Sequence, residues 1–397
     1  MKSLIPILVW LFLLPRPGLA QEASVTGSNG KVNCKFTTRG YLKDLQYASF
    51  TTRPDSVMYD HLLHNRMNFR LYAGDNFTAG LEIRNRLLAG ETLRKTPAYA
   101  DALGHDRGLV DMSWNLLDGQ GMVLNMQVDR AWINWTKGNW DLRLGRQRIN
   151  WGVNLVWNPN DLFNTLNFVD FDYEERPGTD ALRLQYATGS FSSADFVIAP
   201  GKDSASHSVA AMYRFHKWQY DFQVLAGWSM TDWVAGAGFA GNLGNAGLKG
   251  ELSYFLPARH FGDSVSVLVV SFSGDYGFRN GLYLHVSGLF NSSGENQIQN
   301  IQQVMASFSG DLTAKNLMPS KWSAFLQVSG NVTPLVRADL AAIYGAGMNL
   351  LFIMPSVQFS LSDNIDASLI GQSLYGGSGS KFSNWINFVF LRIKWSF

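Results

Sequence analysis

From residue 36 onward, polar and apolar side chains alternate with a period of two rather than 3.6. In 64–73 the odd positions Met67, Phe69 and Leu71 are apolar, while Arg66, Asn68 and Arg70 are polar. After Gly74-Asp75-Asn76 the pattern resumes, with Phe77, Ala79, Leu81 and Ile83 on one face and Glu82, Arg84 and Arg86 on the other. Similar segments follow at 140–148, 181–188, 218–228, 246–255, 335–344 and 385–397. Each reads as a strand with one apolar face. At Asp129-Arg130 the apolar parity slips, which points to a bulge. The uncharged run Leu340 to Ser362 is long enough to span a bilayer as a helix. Against that, Gly345, Gly347, Asn349, Pro355 and Gln358 interrupt it and both halves alternate, so it is read as two strands joined by a Gly-rich loop.

A soluble sandwich would also alternate, but three features favour a transmembrane barrel. Short connections, at Gly74-Asp75-Asn76, Lys137-Gly138-Asn139, Thr188-Gly189-Ser190, His216-Lys217 and Ser362-Asp363-Asn364, alternate with long ones near 89–119, 149–179, 290–320 and 375–384. Trp135, Trp140, Trp218 and Trp395 fall at one end of the apolar faces and Trp228, Trp233, Trp322 and Trp385 at the other, as two interfacial girdles would. The chain ends in a strand with Trp385, Val389, Leu391, Ile393, Trp395 and Phe397 on one side and Arg392 and Lys394 on the other. A terminal aromatic strand of this kind resembles the assembly signal of Gram-negative outer-membrane barrels, which implies barrel-assembly machinery as a partner through Phe397. The fold class expected is all-β: a closed antiparallel up-and-down barrel of about eighteen strands, sixteen also being compatible, with an inward-folded loop. Ile298, Ile301, Met305, Phe308 and Leu312 recur at helical spacing, so a short amphipathic helix or an irregular loop caps the mouth.

Composition agrees with a membrane setting. Only 16% of the 397 residues are charged while 13% are aromatic, and 38 are glycine. Lys2, the apolar run Leu4 to Leu14 and Gly18-Leu19-Ala20 read as a secretory signal over 1–20, followed by a short periplasmic tail over 21–35 and the barrel over 36–397. Loss of Lys2 and Arg16 with that leader brings the formal charge of +2 to zero, which argues against nucleic-acid binding. Cys34 is the single cysteine, so no internal disulfide forms and a metal cluster has no cysteine partners. The location expected is the outer membrane, with its lipid as a partner.

The chemistry concentrates in GRQRINWGVNLVWNPNDLFNTLNFVDFDYEERPG, residues 145–178. About thirty residues pass here without a convincing strand or helix, and a loop that long is functional or disordered. Trp151, Trp157, Phe163, Phe168, Phe171 and Tyr173 supply too much apolar surface for disorder. Asp161, Asp170, Asp172, Glu174 and Glu175 make the loop acidic, directly after Arg143, Arg146 and Arg148. Arg66, Arg70, Arg84, Arg86, Arg143 and Arg183 share inward parity with Glu82 on strands that should be neighbours. Guanidinium forks bind carboxylate and phosphate well, so this wall either pins the acidic loop or pins it and forms a conducting constriction. The loop aromatics are its own small core or a stacking surface for sugars and rings. Asp195, Asp221, Glu251, Asp339 and Asp366 with Arg214, Arg337 and Lys249 indicate a mixed lumen. His285 and Ser287 share a strand face, but nothing surrounds them that would make a hydrolase, and no HExxH, CxxC or phosphate-binding loop occurs. No enzyme, cofactor or metal is expected.

The stretch GRQRINWG…WNPNDLF, with DFDYEERPG after it, is similar to a motif of porin-like outer-membrane barrels of Bacteroidetes, broadly akin to alginate-export-type channels. It covers 145–178 closely and 62–135 loosely. The resemblance implies the architecture far more than any substrate. The function expected is a channel for passive passage of small hydrophilic solutes, anions among them. The alternative is a barrel component of an envelope polysaccharide or lipid export system. Monomer and homo-oligomer stay equally open.

Overall fold

A computed structural model of the chain describes residues 23–25, 34–51, 57–96, 98–106, 108–165, 178–203, 205–258, 265–296, 312–378 and 381–397. Its strands, in order, begin with β1 (Ala23–Val25), β2 (Cys34–Phe50), β3 (Met58–Ala73), β4 (Phe77–Gly90), β5 (Ser113–Gly119) and β6 (Met122–Lys137). Next come β7 (Trp140–Gln147), β8 (Thr179–Gly189), β9 (Ser192–Ala199), β10 (Ser208–Lys217), β11 (Tyr220–Ser229), β12 (Asp232–Leu243) and β13 (Ala246–Pro257). The last are β14 (Val267–Gly277), β15 (Tyr283–Asn291), β16 (Trp322–Thr333), β17 (Val336–Ala346), β18 (Leu350–Ser362), β19 (Ile365–Ser378) and β20 (Lys381–Ser396). All but β1 and β5 form one closed antiparallel ring of eighteen.

The ring closes where β20 lies against β2, from Tyr41 opposite Ser396 to Phe50 opposite Asn387. Gly40 and Phe397 exchange backbone hydrogen bonds at 2.9 and 3.0 Å at its end. Closure leaves the ring without an edge, the condition for placing strands in hydrocarbon. Just beyond Phe397, β1 pairs with Cys34–Phe36 and covers the part of β2 that β20 does not reach. Among the described residues no helix is long and apolar enough to cross a membrane.

The period-two pattern is realised as inside and outside. On β13, Glu251, Ser253 and Phe255 are buried inward, while Leu252, Tyr254 and Leu256 face out at 43–44% exposure. Leu340 to Ser362 forms parts of β17 and β18, turning through Gly347 and Asn349, both at positive φ. The parity slip at Asp129 is a bulge: Glu82 of β4 faces Arg130 and Ile83 faces Val128, leaving Asp129 as the extra residue. That bulge turns Asp129 inward together with Arg130.

The long connection expected over 89–119 is present, and it carries two short helices, Glu91–Lys95 and Ala98–Gly104, and then β5, which pairs with Met122–Gln127 on the same side of β6 where β7 pairs lower down. Leu93 and Ala100 bury against Leu88 and Val123, so local packing of a few apolar residues orders what alternation alone did not predict. The long connection expected over 375–384 does not exist, because β19 runs to Ser378 and β20 resumes at Lys381. Trp385, expected on the outer girdle, packs against the inner apolar cluster instead. A register shift at Leu374/Tyr375 reverses its parity. The helix expected over 298–312 lies outside the described residues except for Leu312.

Candidate functional site

The arginine wall is built by the inward faces of adjacent strands β3, β4, β6, β7 and β8. Its centre is a buried ion network. Arg66 binds Asp129 through one terminal nitrogen and Glu82 through the other, the latter at 2.6 Å. Arg70 also binds Glu82, Arg130 reaches it at 3.1 Å, and Arg84 lies 3.0 Å from Asp129. Four guanidiniums therefore share two carboxylates. Arg86 instead donates to the Asn125 amide oxygen at 3.0 Å and to the Leu103 carbonyl at 3.2 Å, tying the second short helix to the wall.

Below this network the wall becomes aromatic. Trp132 faces inward, with the guanidiniums of Arg143 and Arg70 at 4.4 and 5.0 Å from its ring centre. Gly80 makes the room: a Cβ there would stand 2.7 Å from the Trp132 ring and 2.6 Å from Arg70 Nη1. Arg143 Nε donates to Asn134 Oδ1 at 2.9 Å, and Asn134 is turned that way because its amide nitrogen donates to Asp141 at 2.8 Å. Arg143 has no carboxylate within ion-pair distance among the described residues. Arg183 is held by Asp195 of β9 at 2.5 Å.

The described part of the loop after β7 folds inward, and most of its contacts run to the wall opposite the arginines. Ile149, Trp151, Val156 and Trp157 bury against inward residues of β9 to β18, among them Met212, Phe255, Val269 and Phe325. Glu251, on the far wall, accepts backbone N–H groups from Val153 at 2.5 Å, Asn154 at 2.8 Å and Asn160 at 3.0 Å. Asn154 bridges Ser271 and Ser273, Asn160 reaches the Ala237 carbonyl and Ser253, and Gln223 donates to the Trp151 carbonyl. Trp151 Nε1 donates to Asp195 at 3.0 Å, so Asp195 joins the loop to Arg183. The loop thus carries its polar backbone to a carboxylate about a hundred residues downstream. The loop acids expected to pair with Arg66, Arg70, Arg84, Arg86 and Arg143 include Asp170, Asp172, Glu174 and Glu175, which lie outside the described residues. Within the wall itself, Glu82 and Asp129 pair with Arg66, Arg70, Arg84 and Arg130.

The remaining site residues divide. Asp161 is fully buried and accepts the Trp151 N–H at 3.5 Å, an internal loop contact. Trp151 and Trp157 are core residues, edge-on to Phe163 and Phe325 respectively, rather than an open stacking surface. Arg148 is half-buried where the chain leaves β7. Asp170, Asp172, Glu174 and Glu175 lie outside the described residues. Arg146, expected in the constriction loop, ends β7 with the outward parity of Leu142 and Leu144. There it clamps Asp106 at 2.6 Å, Asp180 at 2.9 Å and the carbonyls of Val110 and Val128. Burial pushes the Asp106 carboxyl up, but the Arg146 hydrogen bond and the N–H groups of Gly108 and Met112 outweigh it, holding Asp106 below its usual range. His285 and Ser287 do share the inner face. Ser287 donates to the Phe272 carbonyl at 3.1 Å and His285 lies against the Phe325 ring, so no hydrogen-bonded pair forms.

No protein-family model matches the chain, and no curated protein matches it. Solved structures do. OccAB4 of Acinetobacter baumannii superposes with a TM-score of 0.57 at 8% identity, over 94% of this chain and 100% of that one. OccK11 (OpdR) of Pseudomonas aeruginosa gives 0.54 at 12% identity over 91% and 96%. The outer membrane channel DcaP of Acinetobacter baumannii gives 0.50 at 10% over 94% and 100%. The likeness is one of fold: this chain is a closed antiparallel barrel of eighteen strands.

Proposed function

We propose that the chain is an outer-membrane channel through which small hydrophilic solutes diffuse passively, anions ahead of cations. The bore runs between the arginine wall and the inward loop 148–165. The carrying observation is the concentration of guanidiniums on one wall. Arg66, Arg70, Arg84 and Arg130 gather around Glu82 and Asp129, and Arg143 stacks on Trp132 below them with no carboxylate within ion-pair distance among the described residues. Fixed guanidiniums beside a water-filled path raise the local anion concentration and lower the barrier for anion entry. The described part of the loop supports this role by packing Ile149, Trp151, Val156 and Trp157 against the opposite inner wall, which narrows the bore. The outward apolar faces with tryptophans at both rims support a bilayer setting, with the short turns and both chain ends on the periplasmic side. The motif at 145–178 supports a closer affinity with the alginate-export-type barrels of Bacteroidetes, and the signal over 1–20 supports export.

Planar-bilayer recording tests the reading. A discrete conductance with chloride favoured over potassium is expected. A unit charge about 6 Å from a passing ion in water contributes ~0.7 kcal/mol, so Arg143→Gln should lower the chloride preference roughly threefold. A sealed barrel would end the channel reading, and unchanged selectivity in both Arg143→Gln and Arg84→Ala/Arg86→Ala would end the anion preference.

A further inference from the structure

On the outward wall, an open groove of about 610 Å³ runs over β8 to β11 toward the rim that carries the short turns. Its floor is Ala194, Ala211 and Ala226, and its sides include Trp140, Tyr186 and Tyr213. The register explains the hollow: Ala211 faces Phe196 on one side and Ala226 on the other, while Ala194 faces Tyr186 and Tyr213. Small side chains meet here across three strands beside the bulkier Trp140, Tyr186, Phe196 and Tyr213. The volume lies in the range of about 300–1,000 Å³ that encloses small ligands.

The rim of this groove is cationic and aromatic. Trp140 packs on Tyr186 with ring centres 4.4 Å apart and pairs with Lys137 across its turn. Lys217 lies four residues beyond Tyr213 on β10, roughly 13 Å along the strand at about 3.3 Å per residue. Both lysines have outward parity, and no carboxylate shares the outward face of β7 to β11 at this rim among the described residues. Lys217 rests over the Trp218 ring at 4.3 Å. Trp218 and Gln219 form the turn at φ of 53° and 65°, a left-handed conformation that side chains other than glycine adopt at a cost. The strained turn sets an indole, 75% exposed, beside the lysine at the level of the lipid headgroups.

We propose that this groove is a lipid site, taking one acyl chain of a phospholipid from the periplasmic leaflet with its phosphate between Lys137 and Lys217. The inference rests on the barrel lying in a bilayer, not on its conducting solutes. Apolar floor, aromatic rim and cations spaced a chain segment away match the three parts of such a lipid in order. A second copy of the chain is a poorer occupant, because no outward acid is present here to answer the two lysines.

The barrel reconstituted in vesicles of phosphatidylethanolamine and phosphatidylglycerol, re-extracted in mild detergent and weighed by native mass spectrometry should retain one phospholipid. Ala211→Phe fills the floor, and Lys137→Gln/Lys217→Gln removes the cations; each should lower retention roughly tenfold. Ala226→Leu replaces Ala211→Phe if the latter loses the heat-dependent gel shift of a folded barrel. Equal retention in wild type and filled variants overturns the proposal. So does detergent alone in the groove, or a wild-type oligomer that filling converts to monomer. The variants leave the lumen untouched, so a sealed barrel that still retains its lipid would refute the channel and not the lipid site.

Discussion

Glu251 is the residue on which the position of the inward loop turns, and replacing it by glutamine isolates that role. The carboxylate accepts three backbone N–H groups, from Val153 and Asn154 through Oε1 and from Asn160 through Oε2, in a place with 3% exposure. Glutamine keeps the shape but offers one acceptor oxygen, so its amide N–H₂ must oppose at least the Asn160 N–H. A hydrogen bond to a charged group contributes about 1.5–3 kcal/mol, and a buried N–H left unpaired costs about 1–3 kcal/mol. These overlap rather than add, and the other two bonds lose their charge assistance, so a loss of about 3 kcal/mol for the docked loop follows. Asn154, Gln223 and Trp151 still hold their own partners, and the ring's backbone ladder is unchanged, so the barrel should survive. At about 1.4 kcal/mol per tenfold, amide hydrogen exchange over 150–162 should accelerate roughly 100-fold, while strands β2 to β4 keep their protection. Exchange over 150–162 within threefold of wild type would show that Glu251 is not what docks the loop. A matching acceleration in every strand would show that the loop and the barrel are one cooperative unit.

Other expectations follow from the same geometry. Arg146→Met removes the cation between Asp106 and Asp180 and leaves two largely buried carboxylates without a counter-charge, a loss of about 3–5 kcal/mol, read as a lower temperature for the heat-dependent gel shift. Because Asp106 is held below the range of a free carboxyl, its contribution is complete above about pH 4 and is lost only as pH falls through the depressed value. Proteolytic cutting within 106–112 should therefore stay constant from neutral pH to about pH 4 and rise below it; a rise near pH 6 would contradict this. Gly40→Val places a Cβ 2.3 Å from the Arg66 carbonyl oxygen and 2.8 Å from the Phe397 ring, so the β2–β20 seam should close poorly and folded barrel yield should fall. A folded yield equal to wild type would mean the seam tolerates the displacement.

What the linear pattern reveals here is local and repetitive. Alternation at period two settles strand, face and the inward set Arg66, Arg70, Arg84, Arg86, Arg143 and Arg183, because neighbouring residues on a strand must point to opposite sides. Even the bulge at Asp129 is visible as a slip of parity. Partner choice is not visible. Glu251 meets Val153 only because a closed ring folds the loop across its own diameter, and sequence separation carries no trace of that. Trp132 was missed because its inward direction depends on a single extra residue upstream. Arg146, read as part of the constriction loop with Arg148, still belongs to β7 and faces out, because parity and not proximity governs a strand.

The amino-acid sequence by itself determined the barrel, its two faces and its basic inner wall, since each follows from the alternation of side chains along a strand. Only the tertiary structure decided that Glu82 and Asp129 pair with Arg66, Arg70, Arg84 and Arg130 and that Glu251 holds the loop from the far side. Those pairings depend on distance through the lumen, which closure of the ring creates.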